Sequence, residues 1–392
     1  MSISELLGVS PIINAAGPVT RLSGTLMADE VIEAMAEAGK ACYDMAEMQA
    51  AAGRLIAEVT GAEGGYVTSG ASAGLLLGVA ACVTGLNPGK MNRLPDTRGM
   101  KNRVIIARSH RNFYDHAIRA AGIELVEVGI SDRYSGAGVR DTEAWEIADA
   151  ITDETAAIAY VMNNNARPPL EEVTVVAHER GIPVIVDAAG QLPPASNLKR
   201  FIGEGADLVC FSGGKAIGGP QGTGILCGRR DLISSAALQN LDQDILFELW
   251  SPPEDLIDKS RLPGAPQHGI GRSCKVGKEQ IAGLVVALKR FVDEDEDIRR
   301  KRWVEVAEGI VNSLDGLSAL EVSAADGEVI PNVYVKLKTI NGLDAIRKLN
   351  AHDPSVHVNA SRVYEDVLVI NPVCLRDGDV PAIAQAFRDI LF

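Results

Sequence analysis

Lys215 stands alone among glycines. An apolar run, Leu208 to Phe211, ends at Ser212-Gly213-Gly214; the lysine follows, and glycines recur at 218, 219, 222 and 224. A lysine at the mouth of a strand can form a Schiff base with an aldehyde, because an amine partly withdrawn from water in a cationic site loses its proton readily. Other strand-like runs also end in groups with chemistry of their own. After GYV comes Thr68-Ser69-Gly70-Ala71-Ser72-Ala73, which opens an apolar helix. After RVIIARS comes His110, with Tyr114 and His116 behind it; after IAYVM come Asn163, Asn164 and Asn165; after PVIV comes Asp187. Small hydroxyl and glycine residues at a helix start offer backbone N–H groups and the positive end of the helix dipole to an anion such as phosphate. A histidine or tyrosine can lie flat on an aromatic ring. A carboxylate at a strand end can pair with a protonated pyridine nitrogen. Phosphate, ring, ring nitrogen and aldehyde are the four parts of pyridoxal 5′-phosphate, and a lysine with an aspartate partner is a mark of that cofactor. Each group also has a plainer reading: T-S-G-A-S as a helix N-cap without a ligand, Asp187 as a cap, His110 as a partly buried histidine, Lys215 as a loop lysine. Their order after successive strands favours the cofactor.

The elements that position these groups alternate. Strands of four to six residues are followed by helices, and the strands are unbroken apolar runs, as expected for a mainly parallel sheet of seven strands covered on both faces. In such α/β sheets ligands bind beyond the carboxyl ends of the strands, where the groups above fall. An extended arm, Pro11 to Ala16, and one long helix over 28–61 precede the sheet. The run VGKEQIAGLVVALKRFVDEDED reads as a further long helix, and from about 300 a small α+β domain begins. The boundaries expected are an N-terminal arm and helix at 1–50, a large cofactor-binding domain at 51–285 and a small C-terminal domain at 286–392. The insert 89–103 carries Lys90, Arg93, Arg98, Lys101 and Arg103 against one aspartate. It reads either as a solvated loop or as an anion-binding lid for a phosphorylated or carboxylated substrate tail.

Composition narrows the function. The 392 residues carry a formal net charge of −14, which argues against a general nucleic-acid or membrane-surface binder, since both need a positive field. Hydrophobic residues make up 46%, enough for a sizeable core. The six cysteines form no C-x-x-C pair and fit reduced thiols of a cytoplasmic protein. The N-terminus lacks a signal-peptide pattern, and no apolar run reaches the ~18 residues of a membrane helix. Six scattered histidines without ligand spacing argue against a metal centre. The absence of G-x-G-x-x-G after a first strand argues against a dinucleotide-dependent dehydrogenase.

The segment FSGGKAIGGPQGTGIL resembles the lysine segment of fold-type I pyridoxal-phosphate enzymes of the selenocysteine synthase-like group. INAAGPVTRLSG resembles that group's N-terminal arm, and GRSCKVGKEQIAGLVVAL its interdomain helix. MNRLPDTRGMKN, RNFYDHAIRAAG and VMNNNARPPLEEV are similar to the D-glucosaminate-6-phosphate ammonia-lyase branch. The resemblance runs from about residue 10 to 375. It implies Lys215 as the Schiff-base lysine, Asp187 as the partner of the pyridine nitrogen and His110 as the residue stacked on the ring. Ser69, Gly70, Ala71 and Ser212 are then expected to hold the phosphate, and Arg272 to reach the phosphate of a neighbouring subunit. The glycines around Lys215 are expected to let cofactor and substrate approach and the lysine swing. Selenocysteine synthase itself has a further tRNA-binding N-terminal domain; a chain opening at the arm, with an acidic balance, is expected to have a small-molecule substrate and no nucleic-acid partner. A homodimer or larger homo-oligomer also follows from the resemblance.

The reaction expected is removal of the Cα proton by the lysine and β-elimination of water from a hydroxy-amino acid or amino-sugar acid, giving a keto acid and ammonia. Return of the proton on the other face would instead give a racemase or epimerase, and addition of a nucleophile a β-replacing transferase. A non-catalytic paralogue is disfavoured by the presence of both Lys215 and Asp187. Arg21, Arg167, Arg272, Arg362 and Arg376 are candidates for the substrate carboxylate, with Arg21 preferred.

Overall fold

The computed structural model describes residues 2–130, 140–325, 328–376 and 378–391. The chain forms two compact units, Met27–Val292 in one and Met1–Leu26 with Asp293–Phe392 in the other. Strand β1 (Ile13–Ala15) belongs to the smaller unit. The larger holds β2 (Gly64–Thr68), β3 (Arg103–Ala107), β4 (Glu124–Val128), β5 (Thr155–Val161), β6 (Val184–Asp187), β7 (Leu208–Ser212) and β8 (Gly224–Gly228). These make one seven-stranded sheet in the order β2-β8-β7-β6-β5-β3-β4. Pairing is parallel throughout except at β8, which runs antiparallel to both β2 and β7. The carboxyl ends of the other six strands therefore share one edge, and β8 begins there.

Packing fixes this arrangement. The helix Ala71–Thr84 is buried along almost its whole length. Two glycines let it lie close on the sheet: a Cβ at Gly78 would come within 2.5 Å of Ile185 Cδ1, and one at Gly74 within 3.1 Å of Cys210 Sγ. The helix expected over 28–61 is two helices, Asp29–Ala38 and Met45–Thr60. The break follows from Gly39 and from Asp44, whose carboxylate accepts the Ala46 and Glu47 N–H groups and starts the second helix.

That second helix covers the sheet edge at β2. The Gln49 carboxamide accepts from Val67 N–H at 3.0 Å and donates to Val67 C=O at 2.9 Å, standing in for a missing strand. Gln49→Ala is expected to lower stability by about 1–3 kcal/mol, since it strips a buried N–H and C=O of their partner. Urea unfolding measures this, and an unchanged midpoint would show that water replaces the carboxamide.

The smaller unit has a three-stranded antiparallel sheet of β9 (Leu320–Ala324), β10 (Val333–Leu337) and, beyond the short β11 (Val356–Val358), β12 (Val367–Ile370), in the order β12-β10-β9. Helices Glu296–Leu314, Gly342–Ala351 and Asp379–Leu391 complete its core through Ile310, Leu349 and Phe387. β1 pairs in parallel with β11, Ile13 opposite Val356 and Asn14 opposite His357. This pairing and the burial of Ile13 and Ala15 against Ile310 place the arm in the C-terminal unit. The units thus divide at 26/27 and 292/293, whereas the sequence boundaries stand at 50/51 and 285/286. Among the described residues, no helix is long and apolar enough to cross a membrane, and all six cysteines are free thiols.

Candidate active site

Register brings the expected groups into rows at the carboxyl edge. Thr68 and Ser212 both pair with Gly224, and Asp187 pairs with Val161 on one side and Cys210 on the other. Asp187 is the last residue of β6. Its carboxylate accepts the Ala189 N–H at 3.0 Å. Burial raises its pKa, against the Ala189 N–H and the charge of Lys215, which lower it. Lys215 shows the converse: burial lowers its pKa, and Asp187 opposes that shift. The two groups therefore sit within electrostatic reach of each other in a partly dry site. Gly190 flanks the amine, since a Cβ built there would stand 3.8 Å from Lys215 Nζ.

The turn after β2 makes the second part. Gly70 is the N-cap of the helix Ala71–Thr84, with φ +97° and no side-chain cap on the first-turn N–H groups. Its positive φ requires glycine at low strain, and a Cβ there would meet nothing within 4 Å, so that side is open. Thr68 Oγ1 donates to Gly70 C=O at 2.9 Å and holds the turn. Ser69 Oγ donates to Cys274 C=O at 2.9 Å. With its hydrogen committed there, Ser69 can present only its backbone N–H and hydroxyl lone pairs to a phosphate.

The glycines near Lys215 have a packing cause that differs from free access. A Cβ at Gly213 would lie 2.2 Å from Thr223 Oγ1, one at Gly214 2.4 Å from Gln221 Cα, and one at Gly224 2.4 Å from the Gly70 carbonyl carbon. The loop folds back on itself and onto the helix start, and at these three positions only hydrogen fits, whereas Gly222 has room for a Cβ. Close packing is thus a cause of Gly213, Gly214 and Gly224 beside the expected ligand approach and lysine motion.

His110 closes a 3-10 turn after β3 and is 2% exposed. Val161 N–H donates to its Nδ1 at 3.4 Å, and its ring meets Tyr160 edge-on at 4.5 Å. The Tyr160 hydroxyl is fixed on Pro168 C=O at 2.8 Å.

The arginines divide between the units. Arg272 is held by Asp242, Nη2 to Oδ2 at 2.7 Å, on a 3-10 turn that the Ser69–Cys274 bond ties to the helix start. Asn240, which sequence reading passed over, reinforces the tie: its amide donates to Gly271 and Cys274 C=O and its Oδ1 accepts from Tyr66. Only its place as a polar residue on a buried helix signals this role. A cavity of about 500 Å³ adjoins this tie, lined among others by Tyr66, Asn240, Arg272 and Lys275, but not by Lys215, Asp187 or His110. Arg167 is exposed beyond β5. Arg21 and Arg376 are exposed residues of the smaller unit. Arg21 lowers the pKa of His357 alongside burial, which is the larger cause, and Arg376 lines a cavity of about 560 Å³ formed by the arm and residues 354–382. Asp242, Asp244 and His268 approach one another, with Asp242 engaged by Arg272 as an exposed ion-pair cluster.

The insert 89–103 leads into the amino end of β3, at the edge opposite Lys215. Thr97 Oγ1 donates to Gly122 C=O, and Arg103 pairs with Glu124 and Glu154 at the starts of β4 and β5. Arg98 pairs with Asp96, and Arg93 donates to Arg98 C=O. Within one protomer this placement favours the solvated-loop reading. Arg93→Glu with Arg98→Glu is expected to leave KM within about twofold, because surface charges well beyond the ~8 Å Debye length are screened from the site. A larger KM shift in steady-state kinetics would contradict this placement.

The site fits pyridoxal 5′-phosphate. An uncapped helix start with an open glycine can take the phosphate, a buried carboxylate can take the ring nitrogen, and a desolvated amine can take the aldehyde, all on one sheet edge. Comparison with known proteins agrees. The L-seryl-tRNA selenium transferase (SelA) family matches residues 12–245. A 5′-C-glycyluridine monooxygenase-decarboxylase from a Streptomyces species is 30% identical, over 98% of this chain and 91% of its own. A D-glucosaminate-6-phosphate ammonia lyase from Salmonella typhimurium is 28% identical, over 99% and 98%. A solved structure of D-glucosaminate-6-phosphate ammonia-lyase gives a TM-score of 0.81 at 27% identity and covers 100% of this chain and 98% of that one.

Proposed function

Because the chain belongs to the L-seryl-tRNA selenium transferase (SelA) family and has the fold-type I arrangement, we propose that it is a pyridoxal 5′-phosphate-dependent ammonia-lyase. Its substrate is a hydroxy-amino acid or amino-sugar acid, and its products are a keto acid and ammonia. The observation that carries this reading is half-buried Lys215 and Asp187, within electrostatic reach of each other on the sheet edge that also holds the uncapped helix start, in a chain similar over almost its full length to such a lyase.

Bound at this edge, the cofactor supplies an aldehyde for an amine and a ring that stores the electron pair released at Cα. Lys215, Asp187 and His110, with Gly70, Ala71, Ser212 and the backbone of Ser69, would hold it, and Arg272 would add a charge near its phosphate. Burial lowers the pKa of Lys215 and so favours the neutral amine, which removes the Cα proton. Asp187 would face the ring nitrogen and, as a carboxylate, would favour its protonated form. The Cβ hydroxyl leaves with a proton as water. The resulting enamine takes a proton at Cβ, and one water hydrolyses the imine to keto acid and ammonia. Water out and water in cancel, so the net change is substrate to 3-deoxy-2-keto acid plus ammonia. Arg21, Arg167 and Arg376 are the cations offered for the substrate carboxylate.

A homodimer in the cytoplasm, with no nucleic-acid partner, completes the proposal. The homodimer is supported by exposed Ile245, Leu246 and Leu249. A second reading, oxidation with loss of CO2, is favoured by the 30% identity to the monooxygenase-decarboxylase.

The test is a panel on the purified, cofactor-loaded protein. D- and L-serine, threonine, D-glucosaminate with and without its 6-phosphate, and 5′-C-glycyluridine are assayed for ammonia and keto acid, for O2 uptake and for CO2. Ammonia and keto acid without O2 uptake support the lyase. O2 uptake with CO2 selects the second reading. Exchange of the Cα hydrogen alone means racemisation, and sinks both.

A further inference from the structure

The loops after β3 and β5 are neighbours, because these strands pair, and the Val161 N–H bond to His110 fastens one to the other. Beyond His110 the chain makes a braced turn. Asn112 Oδ1 accepts the Tyr114 N–H at 2.7 Å. Asp115, 3% exposed, is bound by Arg111, which also reaches Glu127 on β4. On this held backbone Phe113 and Tyr114 are 80% and 52% exposed, with ring centroids 5.1 Å apart and planes at 49°. The protein has only 7 Phe, 7 Tyr and 3 Trp, so two adjacent rings left in solvent beside the catalytic row point to something that covers them.

The neighbouring loop carries exposed amides. Asn163 Oδ1 accepts the Asn165 N–H at 2.9 Å and so shapes the turn, with Asn164 exposed at its tip. Aromatic faces cover the C–H face of a sugar or polyol, and a carboxamide both donates to and accepts from hydroxyls. The side chain of serine is too small to use such a rim. We propose that Phe113, Tyr114 and Asn164 form a specificity rim that receives a polyhydroxylated chain or sugar ring attached to the reacting amino acid. This rests on the lyase reading above and names the substrate class for the same site. An open-chain sugar acid and a ribosyl amino acid share this chemistry.

The test uses cofactor-loaded enzyme with Phe113→Ala/Tyr114→Ala, Asn164→Ala and the conservative Tyr114→Phe. Turnover is measured on serine, D-glucosaminate and 5′-C-glycyluridine, and D-gluconate, which lacks the amine, is titrated calorimetrically. The double variant and Asn164→Ala are expected to lose about ten- to a hundredfold in kcat/KM on the polyhydroxylated substrates, chiefly through KM, with serine turnover unchanged. D-gluconate binding weakens in parallel, and Tyr114→Phe retains it. Which substrate suffers more tells the sugar acid from the ribosyl compound. Equal losses on serine and polyol, no change on either, or wild-type enzyme that does not bind D-gluconate would overturn the proposal. So would a double variant that sediments as a smaller species with discrimination intact, since the rings then cover a second copy. If wild type turns over none of the substrates the lyase reading fails, and D-gluconate binding by wild type and variants still decides the rim.

Discussion

Lys215→Ala is expected to lower turnover by about 10²- to 10⁴-fold, the range set by loss of a positioned proton acceptor. The charge of Lys215 holds the Asp187 pKa down, so its loss also lets burial raise that pKa further. A pH profile carries the same signature. Proton removal needs the neutral amine, whose fraction rises with pH. Burial places the lysine pKa below its ordinary 10.5, so the wild-type rate should climb on the alkaline side along a limb centred below that value. The variant should lose that limb as well as the rate. Turnover of Lys215→Ala within tenfold of wild type, with the limb intact, would move the proton-accepting role to another group.

Gly224→Ala is expected to cost cofactor retention by tenfold or more while the sheet still forms. The new Cβ would stand 2.4 Å from the Gly70 carbonyl carbon and 2.5 Å from Ala71 N. Both are backbone atoms, and Thr68 Oγ1 already holds Gly70 C=O on the other side. Neither can move without turning the first N–H groups of the helix away from the open side of Gly70. Overpacking of this kind costs about 1–3 kcal/mol. Cofactor absorbance after dialysis and the Tm of the apo protein read the two effects separately. Gly222→Ala is the control in the same loop, because its Cβ would meet only Gln280 Nε2 at 3.9 Å. Equal cofactor retention by the two variants would show that the helix start is not the phosphate cradle.

The strand-by-strand pattern was legible because each buried parallel strand is an apolar run, and the group after it is a polar or glycine exception. Asp187, Lys215, His110 and the T-S-G-A-S turn were singled out in this way. Gln49 and Asn240 were not, since a polar residue in an apolar helix looks alike whether it meets water or a bare strand edge. The two helices at 29–38 and 45–60 read as one because their apolar spacing continues across Gly39, and Asp44 shows its capping role only in three dimensions. The insert 89–103 was left with two readings for a related reason: charge is visible in a sequence, but the sheet edge it lies on depends on the direction of the chain.

By itself, then, the amino-acid order determined the alternation of elements and the cofactor chemistry, and it singled out the lysine proposed to bear that cofactor, because those depend on local residue type and on strand order. Only the tertiary structure decided why glycines surround that lysine, that Ser69 is tied to Cys274, and that the arm joins the C-terminal unit through β1 and β11. Each of those is a contact between segments far apart in the chain. Residue identity limits which contacts a segment can make, but close packing against a distant backbone selects the one that is made.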